Sequence, residues 1–215
     1  MTRFRPRLAL WSLLAGLLLA PFTQAATLDE DIAKIQHDWA RAYYKVAEDD
    51  KEAVFDDLIL QGDKLVAAHP GKAEPLIWHA IVLSTSAKFS GGFGALGKVK
   101  KARKALEAAA RIDPNAMDGS IYASLGSLYA NVPGWPIGFG DEDKADELYR
   151  KALAINPDGI DPNFFYGQLK AEQDETEAAR KLYEKALAAP PRPGREDADE
   201  GRRAEIREAL AALED

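Results

Sequence analysis

The sequence predicts an all-α protein: a right-handed helical-repeat solenoid of about four helix pairs, closed by a C-terminal capping helix. Three observations predict it. An alanine stripe ending in proline is written three times, from Ala102 through Leu106 and Ala109 to Pro114, from Ala145 through Tyr149 and Ala152 to Pro157, and from Ala179 through Tyr183 and Ala186 to Pro191. The last two copies lie 34 residues apart at both ends, which is the period of stacked helix–turn–helix units. Composition agrees, since 47% hydrophobic and 29% charged residues describe a globular chain that buries a core.

In chain order, Arg3, Arg5 and Arg7 precede an apolar run of 13 residues from Leu8 to Ala20, then Pro21 and the small-residue site ending at Ala25. This is the pattern of a cleaved secretory signal, and the run is shorter than the roughly 20 residues that span a bilayer. Residues 1–25 are therefore expected to be removed, leaving 26–191 as the solenoid and 192–215 as a Pro-rich, acidic linker with its cap. Without the leader the chain carries 25 basic against 35 acidic residues, a net charge of −10, and is expected in the periplasm, where ATP and nicotinamide cofactors are not expected.

Each alanine stripe reads as the second helix of a pair, because small residues on one face allow close packing and the proline ends the helix. A fainter fourth copy runs from Leu58 through Leu65 to Pro70. First helices are expected around Trp39, Trp78, Tyr122 to Tyr129, and Asn163 to Gly167, the last opened by Asp161-Pro162 as cap and first turn. Ile206, Leu210 and Leu213 recur at i, i+4 and i+7, as a capping helix requires.

Tyr122, Leu125, Gly126 and Tyr129 resemble the W-x-x-L-G-x-x-Y first helix of the tetratricopeptide repeat (TPR) family, with Tyr122 in place of Trp. Tyr166 and Gly167 match the L-G step of the last unit, while Asn163 and Lys170 depart from its aromatic ends. More loosely, the Tyr43-Tyr44 first helix, the irregular insertions and the unit from Lys144 to Pro157 are similar to TPR-like periplasmic proteins accompanying TRAP transporters and to the TPR-like domain of the regulator of microtubule dynamics family. The TPR resemblance implies that first helices line a concave binding face. In the register set by Trp39, Trp78, Tyr122 and Asn163, that face receives Tyr44, His79 and Leu83 from the first half of the chain. Ser127, Asn131, Phe164 and Gln168 follow from the second half.

Two links between helices are longer than the repeat requires. Phe89 to Gly97 and Asn131 to Asp141 together hold seven of the chain's 16 glycines in 20 residues. Phe93, Trp135, Ile137 and Phe139 are too apolar for solvated connectors, so the loops either plug the solenoid edge or form the lip of a binding cleft with Trp135 and Phe139 as contacts. Of the two readings, the plug is the expectation.

Chemistry finds little support. With no cysteine, disulfides, zinc ribbons and thiol nucleophiles are excluded. Gly92, Gly94 and Gly97 satisfy G-x-G-x-x-G, and Gly97-Lys98 completes all but the final hydroxyl of a phosphate loop, yet a helix precedes them and Val99 follows. His37, His69 and His79 have no metal-ligand spacing, and no serine sits in a nucleophile elbow. An acidic chain is also a poor default partner for nucleic acid. The expectation is a non-catalytic binding or adaptor protein, without cofactor, whose partner is an envelope protein or peptide; the alternative is a ligand-binding accessory component of a transport system holding a small organic molecule.

Overall fold

The computed structural model describes residues 26–214, so the expected signal segment lies outside the described residues. Among the described residues nine helices follow one another: α1 Leu28–Lys45, α2 Glu48–Ala68, α3 Ala73–Phe89, α4 Gly92–Ile112, α5 Ser120–Asn131, α6 Glu142–Ile155, α7 Ile160–Glu172, α8 Thr176–Leu187 and α9 Glu196–Ala211. Two of the starts, those of α1 and α6, are capped by side chains. Thr27 and Glu30 form a reciprocal capping box on α1, and Asp141 caps α6 by accepting from the Lys144 amide at 2.9 Å.

Consecutive helices pair as α1–α2, α3–α4, α5–α6 and α7–α8, the all-α solenoid of four units that the period predicts. The alanines of all three stripes are fully buried. At two crossings glycine is required by closeness of approach: a Cβ on Gly126 would meet the Tyr149 ring at 2.8 Å, and one on Gly167 the Tyr183 ring at 2.6 Å. In the last two units the glycine of this step thus seats a tyrosine of the second helix. Apolar clusters run from unit to unit and overlap, through Ile59 and Met117 between the first two, Tyr129 at the next, and Phe165 at the last.

Two expectations are corrected. The segment from Phe89 to Gly97 is no loop; only Ser90 and Gly91 separate α3 from α4, and Gly92 to Gly97 form the first turns of α4. The surplus residues lengthen both helices, since the glycines lie at an exposed helix end where their low propensity costs little. Asp161 is not a cap either. Gly159 takes that position, and Asp161 sits inside the first turn of α7, its carboxylate drawn to arginines of the C-terminal segment.

The cap itself does more than expected. Ile206, Leu210 and Leu213 pack on α7 and α8 with Ile160, Phe164 and Tyr183, as the periodicity predicts. An adjacent face of α9 reaches α1, and Ala198 joins the first unit's cluster beside Trp39 and Trp78. One helix therefore ties the last unit to the first.

Candidate functional site

On the inner side, α1 and α3 build an aromatic floor. Trp39 stacks on Tyr43 at 5.3 Å, meets Tyr44 and Trp78 edge-on, and donates from Nε1 to Thr85 Oγ1 at 3.0 Å. At the other end, α7 offers the Asp161 carboxylate. Its Oδ1 accepts from Arg202 Nε at 2.9 Å and its Oδ2 from Arg192 Nη1 at 2.6 Å, while the Arg202 guanidinium lies over Phe164 and Phe165 at 4.6 and 4.7 Å. Arg202 also donates to Glu205 at 2.6 Å, and the Tyr44 hydroxyl donates to the same carboxylate at 3.2 Å.

Burial and neighbouring charges together set the titration of this cluster. Burial alone would raise the Asp161 carboxyl, but the two arginines outweigh it and hold that group well below the usual carboxylate range. The Tyr43 hydroxyl is pushed up to about 12, first by burial and then by Glu205; Tyr44 is raised further by burial, with Arg202 opposing.

A second surface is the α5–α6 loop. Its base is stapled to α5: the Asp141 amide donates to Tyr129 O at 2.9 Å and the Gly140 amide to Pro133 O at 3.0 Å. A side chain at Gly140 would collide with the Val132 carbonyl, so the loop closes on itself tightly. Phe139 is the plug. It packs edge-on against Tyr129 at 5.4 Å, with the Arg103 guanidinium over its ring at 4.3 Å. Trp135, which precedes Pro136 through a cis peptide, does not plug anything; it is 90% exposed, Ile137 is 67% exposed, and Phe93 at the head of α4 is 95% exposed. The plug reading therefore holds for Phe139 and fails for Trp135 and Phe93.

The expected concave residues divide. Tyr44 and Phe164 do face inward, and both lie beneath α9. Gln168 is exposed one turn beyond Phe164, and Asn131 is exposed at the end of α5, its amide donating to Ser127 O at 2.9 Å. His79, Leu83 and Ser127 face the second helices instead. The His79 ring rests on Gly62 of α2 with Nε2 3.3 Å from Asp63, and burial lowers its pKa against that carboxylate. Leu83 lies among Ala102, Leu106 and Leu148, at the floor of an open cleft of about 460 Å³ between α2 and α4. Ser127 meets the Tyr149 phenol.

The error in α3 is one of register. Counting ten residues from the preceding proline, as from Pro157 to Gly167, places the small crossing residue at Ala80, which is fully buried; Trp78 then turns inward beside Trp39. Trp78, Asp161, Arg202 and Glu205 are the inner-face residues that pattern reading missed. The available signal was Gly201 in the middle of a helix, a position where glycine needs a packing reason.

Among the described residues there is no cluster of three or more His, Asp or Glu that could hold a metal ion, and no helix long and apolar enough to cross a membrane. Lys98, the lysine of the glycine motif, is committed to Asp56, Ser86 and Ser90 at 2.7–2.8 Å.

Comparison with known proteins is consistent with this geometry. A family model described as tetratricopeptide repeat matches residues 137–158, which span the end of the α5–α6 loop and α6. Among solved structures, a thermophilic TPR protein from Thermus thermophilus superposes with a TM-score of 0.57 at 17% identity, covering 86% of this chain and 90% of that one. No curated protein matches the sequence. Residues 137–158 thus resemble a tetratricopeptide repeat, and the chain has a TPR-like, all-α helical-repeat fold. Repeats of this kind generally serve as protein-binding scaffolds.

Proposed function

We propose that this TPR-like chain is a non-catalytic adaptor of the cell envelope, exported by its N-terminal segment, which binds a partner protein through the edge bearing Trp135. The observation that carries the reading is an indole 90% exposed on a loop whose base is locked by Phe139, Tyr129 and Gly140. An exposed tryptophan gains roughly 1.5–3 kcal/mol by leaving water, and a pre-ordered base spares the entropy of arranging it. Those are the properties of an interface hot spot. Ile137 on the same loop enlarges the apolar surface, so the partner is one that offers an apolar pocket for an aromatic anchor.

The test is photo-crosslinking in intact cells with a reactive phenylalanine analogue at position 137. A discrete protein adduct that disappears in Trp135→Ala is the expected result. The reading fails if no protein is captured, or if Trp135→Ala leaves the adduct unchanged.

A further inference from the structure

Independently of the Trp135 edge, we propose that the inner face is a second, latent site for a partner helix carrying two arginines two turns apart, and that the first half of α9 is the tethered stand-in holding it closed. Ala198, Gly201, Arg202 and Glu205 lie on one side of α9, with Arg195 at its N-cap, and each meets the inner face. The Arg195 guanidinium lies 5.0 Å from the Trp78 ring, Ala198 packs near Trp39, Gly201 sits against the Tyr44 ring, Arg202 takes Asp161 with Phe164 and Phe165, and Glu205 takes the Tyr44 hydroxyl. Aromatic faces beside a single carboxylate suit guanidinium, which stacks and donates in a planar fork, better than a lysine ammonium.

Three features mark α9 as a replaceable occupant. The helix pairs of the solenoid meet through alanine, leucine and tyrosine, whereas two of the four residues that α9 buries are the charged Asp199 and Arg202. That composition belongs to reversible interfaces. The fit is also imperfect. Trp78 Nε1 and Arg195 Nε are both buried with no acceptor among the described residues, so a helix bringing an acceptor to that end would bind better than α9 does. Finally, the connection from Ala188 to Arg195 holds Pro190, Pro191, Pro193 and Gly194, with Gly194 at φ +70°, and lies outside both helices. Residues 190–205 can leave the face, at the cost of the Arg203 bonds to the Leu187 and Ala189 carbonyls, while Ala189, Ile206, Leu210 and Leu213 stay packed on the last unit.

Gly201→Leu would drive the first half of α9 off Tyr44 without altering the inner face itself. A labelled peptide of residues 192–207 is the probe, tested against the otherwise complete chain. It should bind the Gly201→Leu protein at least about tenfold more tightly than the unaltered protein, where the tether supplies a competitor at an effective concentration of about millimolar. The same peptide with Arg195→Ala and Arg202→Ala should lose about tenfold or more. Equal binding to both proteins, binding to neither, or indifference to the arginines overturns the proposal. Should Gly201→Leu fail to fold, hydrogen exchange on the unaltered chain decides. Amides of 196–205 must exchange by a local opening that leaves 206–211 protected; exchange only through global unfolding overturns it.

Discussion

Gly201 of α9 lies so close to Tyr44 of α1 that a Cβ there would come within 2.5 Å of ring atom Cε1. The two residues are 157 positions apart, and their contact brings the last helix across the inner face onto the first. Helix propensity alone would make Gly201→Ala stabilising by about 1 kcal/mol. The Tyr44 ring predicts the opposite, a net loss of about 1–2 kcal/mol from overpacking. Chemical denaturation of this variant gives the sign directly; a gain would mean that Tyr44 moves aside freely.

Asp161 is the electrostatic partner in the same closure. Asp161→Asn should lower stability at neutral pH by about 2–3 kcal/mol, because it removes a charged acceptor from Arg192 and Arg202. The pH dependence follows from the depressed carboxyl. Its contribution is fully present above the unfolded pKa of about 3.9 and is lost as pH falls through the lower folded value, so the gap between the two proteins should close in acid. A gap that stays constant down to about pH 2 would contradict the assignment.

At the loop, two aromatic truncations should separate. Phe139→Ala removes a ring held between Tyr129 and Arg103 and should cost about 2 kcal/mol, less than a full core value because Phe139 is half-buried. Trp135→Ala should cost less than about 1 kcal/mol, as at exposed sites generally. Equal losses in thermal melts would refute the division of labour between the two rings.

In the third unit, Ala152 is fully buried, and its backbone carbonyl oxygen lies 3.0 Å from where Gly119 would carry a Cβ. Ala152→Asp should lose about 3 kcal/mol or more and unfold neighbouring units with its own, because each unit buries its stripe only against the next. Far-UV melting curves that overlay those of the parent would contradict the packing register.

The proposed export makes a simple chemical prediction. Protein recovered from the cell envelope should begin at Ala26, as read by N-terminal sequencing; the intact Met1 terminus in a membrane pellet would count against the cleaved leader.

What the sequence determined by itself is what repeats at short range. The 34-residue spacing, the buried alanines 102, 109, 145, 152, 179 and 186, the L-G steps at Gly126 and Gly167, and the apolar stripe of Ile206, Leu210 and Leu213 each follow from helix geometry within a single unit. Nothing distant has to be known to place them. Tertiary structure decided the rest. Whether Gly92 to Gly97 coil or extend α4 depends on the length of α3 beside them, and whether Trp78 looks inward depends on a two-residue register that Ala80 sets by packing. The inner face was the least legible part, since Arg202 finds Asp161 across 41 residues and Tyr44 finds Glu205 across 161, and charged pairs at such separations leave no periodic trace in the chain. Periodicity records which face of a helix is buried; only the folded chain decides which side chains meet across it.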